Sequence, residues 1–257
     1  MVDQTYRLLI HTSPNINFLA FVFFATISSY NFHWLFTPAS VNPSQRLEWA
    51  YTHKHYHLIL YFIGLAGATV FFFFLLAHWF WLLVAAFITF LYSAPKVPLK
   101  SAGLLKKVAI GKTIFLAMVW TYVTTLLPMI ISGTAWQAEA LLFVLSRFFL
   151  VYAICILFDY RDREDDKAEG IRSMITYFNE KGINILFTIS LSLFVFVTLW
   201  LLKYNFYLTD ILIILIPGLI LAALFNYSKK NFSDYFYYIV LDGLMMLSGL
   251  VMLLLSI

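Results

Sequence analysis

In the stretch FDYRDREDDKAEGIRSM, residues 158–174, carboxylates recur at intervals of three and four: Asp159, Asp162 and Asp166. On a helix that spacing puts all three on one face, with Asp165 beside it. Like charges so placed oppose helix formation by roughly 0.2–0.5 kcal/mol per pair, and a bound cation relieves the repulsion. Carboxylates at a water boundary suit Mg2+ shared with the phosphates of a substrate. The same residues also form i,i+4 pairs, Asp159 with Arg163 and Arg161 with Asp165. Spacing alone therefore favours a salt-bridged, solvated helix over a metal site.

A second stretch, YSAPKVPLKSAGLLKK at 92–107, holds Lys96, Lys100, Lys106 and Lys107 around two prolines. Pro95 and Pro98 exclude a helix over 94–99. No carboxylate occurs between Glu48 and Glu139, so these lysines lack a nearby acidic partner in sequence. Beside a row of aspartates they would serve a diphosphate–Mg2+ site; alone they would anchor anionic lipid headgroups.

His53 and His57 stand four apart with Glu48 and His55 near them, a spacing that can hold a transition metal. No third ligand is specified, and contact with lipid headgroups is the plainer expectation. A lid over a cavity, with Arg46 and Lys54 helping to hold phosphate, is a functional version of the same loop. Arg147 and Asp242 are the ionisable residues deepest in apolar sequence, and comparable depth along their helices suggests that they pair. Gly64-x-x-Gly67 reads as a helix-packing face.

The elements that carry these groups are apolar. Of the 257 residues 62% are hydrophobic and only 12% charged, against a usual ~25%, and the mean hydropathy is +0.85. Runs near bilayer length recur, which excludes a secreted domain, a disulfide scaffold and a disordered chain. Cys155, the one cysteine, has no partner for a disulfide within the chain. Eight helices are expected, at about 16–36, 58–76, 79–92, 108–131, 136–158, 183–202, 207–225 and 235–256. Continuous rather than alternating apolar runs favour helices over a barrel. The loops 37–57, 93–107, 159–182 and 226–234 then share one side. Counting Lys112 with them, they hold all of the 17 basic residues except Arg7, Arg147 and Lys203, which makes that side cytoplasmic. The expected architecture is an all-α polytopic membrane helix bundle, 1–257, in one domain.

With these elements in order, the sequence resembles the UbiA superfamily of intramembrane prenyltransferases. The matching residues are Tyr92, Ser93, Pro95, Leu99 and Lys100 in the proline-bracketed loop. In the acidic loop they are Asp159, Arg161, Asp162, Asp166, Lys167, Gly170, Arg172 and Ser173. The resemblance implies about nine helices around a cavity, and transfer of a prenyl group from a polyprenyl diphosphate to an aromatic or other hydrophobic acceptor. It further implies Mg2+ on Asp159, Asp162 and Asp166, with Asn31, Lys96, Lys100 and Arg161 toward the diphosphate. The family's first acidic motif, N-D-x-x-D-x-x-x-D, is kept only at Asn31; Phe32, Leu35 and Ala39 stand at the aspartate positions. The family's first helix has no counterpart among the eight, so residues 1–10 are expected to be the remainder of that helix, with Met1 internal to a longer protein.

The expected function is thus a divergent, Mg2+-dependent prenyltransferase of the membrane, its partners a polyprenyl diphosphate, a hydrophobic acceptor and lipids. No residue is assigned as acceptor base. The alternative is a non-catalytic isoprenoid- or lipid-binding descendant, and a small transporter using Arg147 and Asp242 is a weaker third. No glycine-rich phosphate loop, Ser/His/Asp set or nucleic-acid module is found.

Overall fold

The computed structural model describes residues 1–36, 45–93, 112–168 and 173–255. These are helical almost throughout, and no strand occurs among them. Two compact units result, one of Met1–Thr12 with Ile110–Ile257, the other of Ser13–Ala109.

The first unit opens with a short helix, α1 (Val2–Thr5), which runs into a π turn, Tyr6–Ile10. His11 stops it in the left-handed region, at φ 55°.

The second unit holds α2 (Ile16–Leu35), α3 (Gln45–Thr52), α4 (Lys54–Phe74) and α5 (Trp79–Ser93). Asn15 caps α2, its side chain accepting from the Phe18 N–H at 3.1 Å. α2 and α4 pack because Gly64 lets their backbones meet: a Cβ there would lie 2.6 Å from the Ser28 nitrogen. One turn on, Gly67 lies against the Phe24 ring, which stacks on Phe71 at 5.8 Å between centroids. The glycine pair is a packing face, as its spacing suggests.

The chain then returns to the first unit with α6 (Lys112–Thr121), a π turn (Tyr122–Leu126) and α7 (Leu127–Ser132). Gly133, at φ 67°, closes α7. Its centre is α8 (Ala138–Arg161), the most buried of the long apolar helices. Two short helices follow, α9 (Arg163–Ala168) and α10 (Met174–Tyr177). Then come α11 (Glu180–Trp200), α12 (Leu208–Ser228), a π turn (Phe236–Leu241) and α13 (Asp242–Leu254). α8 packs between α6 and α11, while α12 pairs with α13. The core is Val151, Ile154, Ile156 and Leu157 of α8 with Phe187, Phe194, Ile211, Leu221 and Leu241 around them.

Seven of these helical segments are long and apolar enough to cross a bilayer, and the chain is an integral multi-pass membrane protein. Eight spans were expected; the one at 79–92 forms as α5, with 15 residues. At 1.5 Å per residue it rises about 22 Å, short of the ~30 Å hydrocarbon core. The N-terminal ten residues, expected to be the remainder of a helix, are helical over residues 2–10 and pack into the first unit: Tyr6 and Thr5 are buried.

Candidate functional site

Within the first unit the acidic stretch is the cytoplasm-facing end expected for α8, together with α9. Asp159 and Asp166 are buried, 5% and 6% exposed. Asp162 caps α8, its N–H reaching the Phe158 carbonyl at 3.1 Å, and its side chain is 39% exposed. The Asp166 N–H reaches back to the Asp162 carbonyl at 2.9 Å, so the helical path continues through the cap. Positions 159 and 166 thereby stay in phase, and Thr113 of α6 donates its hydroxyl to the Asp159 carboxylate.

The three aspartates do not form one ligand set. Seven residues of helix separate Asp159 from Asp166 by about 10 Å of rise, whereas one Mg2+ holds its oxygens at about 2.0–2.1 Å. Among the described residues no three carboxylate, imidazole or thiol groups gather as a metal centre. The donor chemistry still fits this ion. Mg2+ ordinarily takes one or two carboxylates and completes its shell with phosphate and water. Each of the two buried carboxylates, Asp159 braced by the Thr113 hydroxyl and Asp166, is a donor of that kind.

Arg161, expected to face diphosphate, is largely committed inside the unit. Its Nε donates to Asp162 at 2.8 Å and its Nη2 to the Tyr238 hydroxyl at 2.9 Å. The guanidinium lies 4.8 Å from the ring centroids of both Tyr237 and Tyr238, and 5.6 Å from that of Phe158. Only Nη1 is left without a hydrogen bond; it is buried, 3.9 Å from Asp234. The residue ties the end of α8 to the π turn before α13.

Outside that tie runs a band of ion pairs. Glu180, at the start of α11, receives Lys229 at 2.7 Å and Arg163 at 3.2 Å. Lys229 also donates to Asn184 at 2.9 Å, and Arg163 to the Phe178 carbonyl at 2.6 Å. Lys167 is paired with Glu164 at 2.7 Å, and that hydrogen bond holds the Glu164 carboxyl below the usual range. The band fastens α9 to α11 and α12. Because Glu180 is half exposed, Glu180→Gln is expected to cost only about 1 kcal/mol. Denaturation at low and high salt checks this: the loss should shrink as ionic strength rises.

Asn31 lies in the other unit and is 9% exposed. Its Nδ2 donates to the Ile27 carbonyl at 2.8 Å, and its Oδ1 meets His57 Nδ1 at 2.7 Å. His57 is thereby turned toward α2, between the rings of Trp34 and Trp49. His53 instead stacks on Trp49 and meets the Trp49 carbonyl through Nδ1. The two histidines do not form a metal pair. Lys96 and Lys100, with Lys106, Lys107, Gly170 and Arg172, lie outside the described residues.

Arg147 corrects another expectation. It is 6% exposed in the middle of α8, and Asp242 is not among its partners. Its Nη1 donates to the Thr5 hydroxyl at 2.7 Å, the Thr124 carbonyl at 2.9 Å and the Thr125 hydroxyl at 2.9 Å. Its Nη2 donates to Gln4 Oε1 at 2.9 Å, and the guanidinium lies 4.7 Å from the Phe143 ring centroid. Thr124 and Thr125 belong to the π turn that interrupts α6 and α7; π geometry frees backbone carbonyls from the i→i−4 ladder. Thr113, the Tyr237–Tyr238 pair and the Gln4–Thr5 pair were not singled out from the sequence. The available signal was a polar residue inside an otherwise apolar run, Thr124–Thr125 being the clearest case.

A search of the curated proteins and of the solved structures found no match. A family model does match, that of the UbiA prenyltransferase family, over residues 50–237. The match spans α4 to the π turn before α13, includes both the acidic and the lysine-rich loops, and begins past Asn31. It covers well over half of the chain, and with the helical bundle and the placement of Asp159 and Asp166 in view the conclusion is direct: this chain belongs to the UbiA prenyltransferase family.

Proposed function

We propose that the protein is a prenyltransferase that binds the head of a polyprenyl diphosphate at the α8–α9 end of the first unit and passes the prenyl group to a hydrophobic acceptor. The observation that carries this is the burial of Asp159 and Asp166 at one end of an apolar bundle of this family. Mg2+, taken up at Asp159 or at Asp166 with Asp162 at the mouth and with phosphate and water completing its shell, would neutralise the departing diphosphate. Thr113 braces the Asp159 carboxylate, and Arg161 keeps its buried Nη1, 3.9 Å from Asp234, for a phosphate oxygen. The family resemblance alone assigns Lys96 and Lys100 to the diphosphate. The allylic C–O bond breaks, the acceptor's bond to that carbon forms, and the acceptor gives up a proton to solvent or to a base that no residue here is assigned to be. The excess of Lys and Arg on the loops that include 93–107 and 159–182 supports a cytoplasmic mouth.

One observation favours a second reading, a binder of isoprenoid or phospholipid without catalysis. The segment 31–39 lacks the family's first aspartates, and Asn31, its one retained residue, is engaged by His57. Melting of the purified protein with geranylgeranyl diphosphate separates the two. Stabilisation that requires Mg2+, together with transfer of labelled prenyl group to a quinone-precursor acceptor, supports the enzyme. Equal stabilisation by phospholipid, without Mg2+ and without transfer, would establish the binder.

A further inference from the structure

α9 carries Asp166, yet it is only six residues long, Arg163–Ala168. A helix that short does not hold itself together in water, so its direction is set by what it is tied to. It leaves α8 through the cap at Asp162, where the Asp166 N–H bonds to the Asp162 carbonyl at 2.9 Å. The angle of that step decides where the Asp166 carboxylate stands relative to Asp159 and Asp162.

One carboxylate grips the step from both sides. Before it, Tyr160 of α8 carries Lys229 Nζ over its ring, 5.1 Å from the centroid. Lys229 in turn pairs with Glu180 Oε2 at 2.7 Å. After it, Arg163, the first residue of α9, donates Nη1 to Glu180 Oε1 at 3.2 Å and Nη2 to the Phe178 carbonyl at 2.6 Å. The two oxygens of Glu180 therefore hold the chain on either side of Arg161 and Asp162. Glu180 itself stands on a firm base. Asn179 caps α11, its side chain accepting from the Gly182 N–H at 2.8 Å, and Lys229 is fixed a second time by Asn184, at 2.9 Å.

The charges give the grip its direction. The side chains of Arg163 and Lys229 are largely buried, 18% and 16% exposed. Without the carboxylate between them these two cations repel, and Arg163 is driven from Lys229 with α9 attached. We propose that Glu180 is a positioning residue, which sets the step from α8 to α9 and through it the affinity of the acidic end for Mg2+. This rests on the reading of that end as a Mg2+–diphosphate site. Glu180 touches neither ion nor substrate and acts through Asp162 and Asp166. Outer groups that orient carboxylate ligands are commonly worth about 10–100-fold in metal affinity, and a half-exposed carboxylate belongs at the low end of that range.

Glu180→Ala in the full chain tests this by two measurements. In thermal melting with geranylgeranyl diphosphate, the Mg2+ concentration for half-maximal stabilisation should rise about tenfold. In protein free of Mg2+ and ligand, amide hydrogen exchange over 163–168 should quicken, because the Asp166 N–H loses its fixed acceptor. Glu164→Gln removes a carboxylate of the same short helix that is paired only along it, with Lys167, and should move neither reading. An unchanged Mg2+ requirement in Glu180→Ala, with or without faster exchange, makes Glu180 a structural tie alone and overturns the proposal while leaving the enzyme reading intact. An equal shift in Glu164→Gln overturns it too, since any lost charge on that face would then suffice. A parent protein whose melting ignores Mg2+ overturns the enzyme reading, and this proposal with it. Should Glu180→Ala not fold, Arg163→Gln releases the same end of α9 and carries the same expectations.

Discussion

Asp159→Asn is expected to lower prenyl transfer by about a thousandfold, or ~4 kcal/mol of barrier, with the fold intact. The substitution removes a charge while keeping the shape. Asn retains an oxygen for the Thr113 hydroxyl, so the link between α6 and α8 survives. What disappears is the added stability conferred by Mg2+ with a prenyl diphosphate. Asp166→Asn should behave alike, because both carboxylates are buried on one side of the same helical path. Glu164→Gln serves as the control: that carboxylate is exposed and paired with Lys167, and its loss should change the rate less than twofold. Single-turnover transfer of labelled prenyl group measures all three. Full activity in Asp159→Asn would remove the acidic face from the chemistry and leave the binder reading.

Much of this arrangement was legible in the sequence, and the limits have physical causes. The spans follow from runs of apolar residues whose length matches the bilayer. Asp159 and Asp166 share a side because seven residues are nearly two full helical turns. Periodicity gives direction around one helix and rise along it, however, and says nothing about which face of a second helix is opposite. That is why Asp242 was expected as the partner of Arg147, whose hydrogen bonds go elsewhere: residue counts give depth along a helix and leave facing open. The actual partners come partly from Gln4 and Thr5, in a segment too short to read as a bundle element. The rest come from a π turn, which no residue pattern announces.

Gly64→Val should be the most damaging single change in the second unit, separating α2 from α4 at a cost of about 3 kcal/mol. A Cβ at this position would fall 2.6 Å from the Ser28 nitrogen and 2.8 Å from the Phe24 carbonyl oxygen. Both are backbone atoms, and neither can withdraw unless the helices part. The better helix propensity of a substituted residue returns only about 0.5–1 kcal/mol, too little to change the sign. At Gly67 the obstacle is the Phe24 ring, which can adopt another rotamer into lipid, so Gly67→Ala should cost under about 1 kcal/mol. Lipid offers helices no hydrophobic reason to stay together, and close packing at small residues is what holds such a pair. The consequence extends two turns along α4, where His57 Nδ1 meets Asn31 Oδ1 at 2.7 Å. That bond exists only at the interaxial distance that Gly64 permits. A hydrogen-bonded imidazole N–H signal from His57 should therefore be seen in the parent protein and in Gly67→Ala, and be lost in Gly64→Val. Its persistence in Gly64→Val would mean that the histidine–asparagine bond, rather than the glycine contact, sets how closely these helices approach.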